Sequence, residues 1–285
     1  MLKKVVGIWR QFSRSKIAVI GLGIIVAFIF MAVAAPFIAP YDPKRTFVAP
    51  PLSPPDSKHL LGTDDVGRDI LSLVIYGSRV SILVGILASA IGTLLGTIIG
   101  LFSGYFGGIL DEFLMRVTDI FLIIPFIPLA IMAAYIFGPN IWNVVLIFGF
   151  LGWPGAARQI RSQILSLKEA PFIEAARALG AGNIHIIFRH LLPNVIGLVI
   201  ANVIGRTSFA IMAEAGLAFL GASDPTVISW GMMIAFAQGS GAVLRGAWWT
   251  LVPPGFCITL LSCGFAFLSY GINLVLNPKL RNRQR

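Results

Sequence analysis

Lys168-Glu-Ala-Pro171-Phe-Ile-Glu174-Ala175-Ala176-Arg177-Ala178-Leu179-Gly180-Ala-Gly182-Asn183-Ile-His185-Ile-Ile-Phe-Arg189-His190-Leu-Leu192-Pro193-Asn194 reads as two short helices set between apolar runs. Pro171 suits a first-turn position and residues 172–179 are good helix formers. Gly180 and Gly182 break the helix, and Asn183 is placed to cap the next one, which runs until Pro193 opens another apolar stretch. The first helix is amphipathic: Phe172, Ala175, Ala176 and Leu179 form an apolar side, with Glu174 and Arg177 off it. Such a helix suits docking to a soluble partner and, equally, lying on a membrane surface.

On either side of this stretch the chain is built from segments long enough, or nearly so, to cross a bilayer, which takes about 20 helical residues. Six are expected, at about residues 17–39, 79–103, 119–138, 141–160, 193–221 and 250–275. The first follows Lys3, Lys4, Arg10, Arg14 and Lys16 and ends in Ala34-Ala35-Pro36, like a secretory signal. Its apolar core of about 19 residues exceeds the usual 7–15, so it reads as an uncleaved span.

Lysine and arginine orient the spans. Five lie in the N-terminal tail, 1–16. Four, Lys279, Arg281, Arg283 and Arg285, lie in the C-terminal tail, 276–285. Arg158, Arg161, Lys168, Arg177 and Arg189 lie between spans four and five. An even number of spans puts all three clusters on one side, which predicts both termini in the cytoplasm. Residues 40–78 then form a near-neutral extracytoplasmic loop. Residues 79–275 form a five-helix core, with a cytoplasmic loop over 162–192. Residues 104–118 are expected as a short cytoplasmic connection despite Asp111 and Glu112.

Composition agrees. Of 285 residues 57% are hydrophobic and 12% charged, with a mean hydropathy of +0.87. A soluble domain is about 25% charged, so an ordinary cytosolic enzyme is excluded. The net charge of +10 would suggest nucleic acid in a soluble chain. Here 14 of the 22 basic residues sit in the three orienting clusters, so that reading falls away. Cys257 and Cys263 fall on nearly opposite helix faces, and the three histidines lack zinc-ligand spacing, so neither a disulfide nor a metal site is expected.

Three features lie inside the spans. Gly92, Gly96, Gly100, Gly104 and Gly108 repeat every four residues and form a close-packing stripe, for use within the subunit or at an interface. Pro125 and Pro128 kink span three and free carbonyls that need partners. Asn202, Arg206 and Glu214 in span five are costly intramembrane polar groups and candidates to line a translocation path or contact a neighbouring helix. Arg206 and Glu214 are eight residues apart and meet only by stretching.

Glu174-Ala175-Ala176, Gly180 and Leu192-Pro193 resemble the EAA signature of permease subunits in ABC importers, departing from it at His190, where that signature has Ile. His59-Leu-Leu-Gly62-Thr63-Asp64-Asp65-Val-Gly67-Arg68-Asp69 resembles the dipeptide/oligopeptide-type permeases. So do Gly104-Tyr105-Phe106-Gly107-Gly108 with Asp111, Glu214-Ala-Gly-Leu-Ala-Phe-Leu-Gly221 and Ser229-Trp230-Gly231. The chain is most similar to the second of their two paralogous permeases. The resemblance implies an all-α polytopic membrane protein with six transmembrane helices, of the type I ABC importer permease fold with a cytoplasmic coupling helix. Glu174, Ala175, Ala176, Arg177 and Gly180 would engage the ATPase. It also implies a prokaryotic inner membrane, a paralogous permease partner, two ATPase subunits and an extracytoplasmic binding protein. Docking of that protein would use Asp64, Asp65 and Arg68 and, in the loop 222–249, Asp224 and Trp230. Trp248 and Trp249 read as interfacial anchors. No GxxxxGK[ST] loop occurs, so no cofactor is expected in this chain, with ATP and Mg bound by partners. The cargo class implied is di- or oligopeptide, with oligosaccharide or nickel as alternatives. The rival class is an ion-gradient-coupled secondary transporter using Arg206 and Glu214.

Overall fold

Asp69 starts a 37-residue helix: its Oδ2 accepts hydrogen bonds from the Ser72 backbone N–H at 2.8 Å and the Ser72 hydroxyl at 2.7 Å. This N-cap sets α2 at Ile70–Phe106, nine residues earlier than its apolarity predicts, and shortens the preceding loop to residues 39–69. At 37 residues α2 is about 55 Å long and exceeds the thickness of a bilayer core. The computed structural model describes residues 15–276. The tail residues Lys3, Lys4, Arg10, Arg14, Lys279, Arg281, Arg283 and Arg285 lie outside them.

Around α2 stand α1 (Lys16–Ile38), α3 (Gly108–Ile123), α4 (Phe126–Phe137), α5 (Ile141–Leu151), α6 (Pro154–Leu167) and the short α7 (Pro171–Ala178). They are followed by α8 (Asn183–Phe219), α9 (Trp230–Gly239) and α10 (Val252–Leu276). The described residues contain no strand, only an isolated bridge between Thr63 and Asp69.

The glycine stripe decides how these helices meet. A Cβ on Gly92 would approach the Gly149 carbonyl at 3.0 Å, one on Gly96 the Trp153 carbonyl at 2.5 Å, and one on Gly100 the Ala157 carbonyl at 2.7 Å. Gly104 faces Ile164 in the same way. The stripe therefore packs within the subunit, backbone against backbone, as far as Gly104; Gly108 meets nothing. Both series of residue numbers rise together, so α2 runs parallel to α5 and α6. A parallel pair requires the chain to recross the bundle between them, and α3–α4 makes that crossing. Among the described residues five helices are long and apolar enough to span a bilayer, and six spans result when this bent pair is counted as one.

The remaining departures from the sequence reading have local causes. Residues 104–118 are not a loop: Gly107, at φ +68°, turns α2 into α3 in a single residue. The α3–α4 bend of 89° falls at Pro125, whereas Pro128 lies in the first turn of α4, where a missing N–H costs nothing. Span four runs on to Leu167 past a break at Gly152-Trp153-Pro154. Span five starts ten residues early, because the wide turn Ile186–Leu191 absorbs Pro193 without ending the helix.

Candidate functional site

The end of the bundle that holds α7 is fixed by contacts between several helices. Gly180, at φ +81°, lets the Ala181 N–H return to the Ala176 carbonyl at 3.0 Å, which closes α7. Ile173 and Ala176 point inward, and Ile173 joins Ile160, Ile164, Ile186, Ile187 and Leu191 in the core beneath. The apolar side expected from sequence is therefore split. Ala176 is buried, while Ala175, Phe172 (43% exposed) and Leu179 (89% exposed) face outward beside the exposed Glu174, Arg177 and Gly180. Ile173 escaped the sequence reading, although its i, i+3 spacing to Ala176 marks the inward stripe.

Contacts among α2, α3, α6, α7 and α8 hold this end together. The Tyr105 hydroxyl at the end of α2 donates to Asn183 Oδ1 at 2.8 Å, and the Arg177 guanidinium lies 5.6 Å from the Tyr105 ring centroid. Asn183 is thereby diverted from capping; Gly182 precedes its helix with no side-chain cap. Arg161 on α6 grips Asp111 on α3 with two bonds of 2.5 Å, and the Ser103 hydroxyl donates to the same carboxylate. Arg158 pairs with Asp119 one turn away. Tyr105 and Asp111 entered the sequence reading as parts of a glycine-rich motif with no assigned task.

Two cavities flank Arg206. One, of about 510 Å3, lies between α2, the α3–α4 bend, the α5–α6 break and α8. The other, of about 440 Å3, is lined by Gln159, Asn202, Ser269 and Asn273. Arg206 borders both, and its Nη1 donates to the Gly152 carbonyl at 2.8 Å. Asn202 borders the second and donates to Leu198 of its own helix. Glu214 borders neither. It is fully buried and accepts from the Ser229 hydroxyl at 2.8 Å on Oε1, joining α8 to the start of α9, while its Oε2 has no partner among the described residues.

At the opposite end, residues 39–69 form a knot. Asp64 accepts from the Arg68 backbone N–H and Nε at 2.7 and 2.6 Å, and His59 Nδ1 lies 3.0 Å from Asp69 Oδ1. The Trp249 indole donates to the Thr63 carbonyl at 3.2 Å, fastening the knot to the start of α10. Gly62 (φ +75°) and Gly67 (φ +71°) supply its turns. Several docking candidates are thus consumed internally. Trp230 is fully buried and donates to the Val74 carbonyl, Asp64 is held by Arg68, and Asp224 caps Thr226. Asp65 and Arg68 stay partly exposed. Trp249 is a strut rather than an anchor, while Trp248 is exposed. Cys257 and Cys263 are free thiols.

A bundle of apolar helices around a partly polar cavity, with an amphipathic helix presented at one end, is the architecture of a membrane transport subunit. Residues 96–282 match the family described as "Binding-protein-dependent transport system inner membrane component", and residues 6–55 match the "N-terminal TM domain of oligopeptide transport permease C". The chain belongs to this family of inner membrane permease components and is a transport subunit, not an enzyme.

Among its relatives, the dipeptide transport system permease protein DppC of Escherichia coli K12 is 41% identical, over 96% of this chain and 92% of that protein. DppC of Bacillus subtilis is 35% identical, over 96% of this chain and 85% of that one. The oligopeptide transport system permease protein OppC of Bacillus subtilis is 35% identical, over 98% and 92%. A solved inward-facing structure of the MetNI methionine ABC transporter matches 76% of this chain and 98% of that chain. Its TM-score is 0.54 at 20% identity, and it supports the type I ABC importer permease fold.

Proposed function

We propose that this chain is one of two paralogous permeases in an ATP-driven, binding-protein-dependent importer of di- and oligopeptides, and that α7 is the lever on which the ATPase acts. The carrying observation is the outward face of Phe172, Ala175 and Leu179 on a helix whose other side is locked to α2 and α8. An apolar face left outside the chain's own core, at the end where the basic residues cluster, fits a cleft in a soluble subunit. On this reading both termini and α7 are cytoplasmic, and ATP and Mg are bound by two partner ATPases. Asp65 and Arg68 face the binding protein. Peptide cargo follows the names of the relatives, and that support favours peptides over oligosaccharide or nickel.

ATP must favour one global state of the assembly over another, and α7 transmits that difference. The test reconstitutes the complete importer and measures dipeptide uptake and ATP hydrolysis together. Leu179→Asp and Glu174→Lys, both at exposed positions, should leave membrane insertion intact and uncouple hydrolysis from uptake. Normal uptake and normal stimulated hydrolysis in both variants would falsify the lever. Gradient-driven uptake by this chain alone would instead support a secondary transporter.

A further inference from the structure

Arg206 has more donors than the protein uses. A guanidinium carries five N–H groups. Among the described residues Arg206 has no acidic partner, its Nη1 is taken by the Gly152 carbonyl, and its buried Nε has no acceptor. A buried donor left unmet is costly and calls for a purpose. Gly155 lies directly against this group: a Cβ there would stand 2.6 Å from Arg206 Nη2, and the guanidinium would have to shift to admit it. Pro154 and Gly155, which open α6, line the same cavity, and that helix start has no side-chain cap. Its positive dipole end and the guanidinium together make one face of the cavity anion-attracting. The same cavity is also lined by aromatic rings. Phe126 packs at centroid distances of 5.4 Å from Phe148 and 5.3 Å from Phe209, and Phe121 borders the same space.

We infer that this cavity is a carboxylate site within the transport pathway, in which Arg206 receives the C-terminal carboxylate of a short peptide while the phenylalanine wall receives its apolar side chain. A planar fork suits a carboxylate, and Arg206 would act as a specificity-determining residue in transit, separate from selection by an external binding protein. The contact with Gly152 sits at the α5–α6 break, so an occupied site would also bear on the joint between these two helices. The inference rests on the peptide reading for its cargo; the anion chemistry stands on Arg206 itself.

The test uses the complete importer in nanodiscs with the binding protein omitted. Alanyl-phenylalanine carrying a 13C-labelled terminal carboxyl is titrated in as the free acid and as the C-terminal amide, with peptide uptake of the parent importer measured separately. The free acid should bind about tenfold or more tightly than the amide, the gap expected for a charge-assisted bond. Arg206→Gln should cut that difference below about twofold, and Arg206→Lys should keep part of it. Equal affinity for acid and amide in the parent overturns the proposal, as does discrimination that survives Arg206→Gln. So does loss of binding in both variants together with a lowered unfolding temperature, which would make Arg206 a staple for the α5–α6 break. Discrimination without uptake sinks the peptide reading and leaves the anion site; uptake without discrimination does the reverse.

Discussion

The Tyr105 hydroxyl and the Asn183 side chain meet at 2.8 Å across 78 residues of sequence, and this bond joins the end of α2 to the first turn of α8 on the far side of α7. On the proposed lever reading, a displacement of α7, whose Arg177 lies over the Tyr105 ring, would reach both long helices. Tyr105→Phe removes the bond and keeps the ring beneath Arg177. The expected cost is about 1 kcal/mol of stability, with a lower yield of uptake per ATP hydrolysed. A double-mutant cycle with Asn183→Ala, read on that yield, checks the pairing; strictly additive effects would refute it.

The parallel packing of α2 on α5 and α6 rests on contact with backbone. Gly96→Ala forces a Cβ to 2.5 Å from the Trp153 carbonyl, where no flexible side chain can give way. The variant should lose about 1–3 kcal/mol, as overpacking does. Gly216→Ala in α8 meets nothing within 4 Å and should be neutral or stabilising by up to about 1 kcal/mol. Thermal unfolding of the two proteins in detergent gives the comparison, and similar midpoints would dismiss the stripe as the packing seam.

Arg161 and Asp111 form a two-pronged, partly exposed pair between α6 and α3. Asp111→Asn should cost about 1–3 kcal/mol, because it leaves a guanidinium facing a neutral amide. Arg161→Lys keeps the charge and loses the fork, so an intermediate loss is expected in the same unfolding assay. A lysine variant as weak as Asp111→Asn would make geometry, not charge, the dominant factor.

Burial, with the Asp64 carboxylate beside it, holds the Asp65 carboxyl above the usual carboxylate range. The folded state thus binds this proton more tightly than the unfolded chain. The penalty is present above the folded value and is relieved as pH falls through it toward the unfolded one. Asp65→Asn should therefore unfold at a higher temperature than the parent at neutral pH, with the gap closing in acid. A gap independent of pH would assign it to packing. The effect is small, since the carboxyl remains partly solvated.

Much of the architecture was legible because its signals are local. Apolar length, the positions of glycine and proline, and the helix-forming run after Pro171 depend on neighbours a few residues apart, and each marks an element seen in the structure. The start of α2 at Ile70 and the continuity of α8 through Pro193 escaped the reading because a cap and a wide turn extend helices into stretches that are not uniformly apolar.

By itself the sequence determined an all-helical membrane protein, the break at Gly180 and the family, since those follow from composition, period and short motifs. The tertiary structure alone decided which polar groups are available. Asp64, Trp230 and Glu214 looked alike as candidates, yet each is consumed by a partner brought to it by folding. Glu214 Oε2 and Arg206 Nε are both buried without a partner among the described residues, and what sets Arg206 apart is that it borders the two cavities whereas Glu214 borders neither. The parallel course of α2 and α5–α6 was likewise invisible, since a stripe of glycines specifies close approach but neither the partner nor its direction.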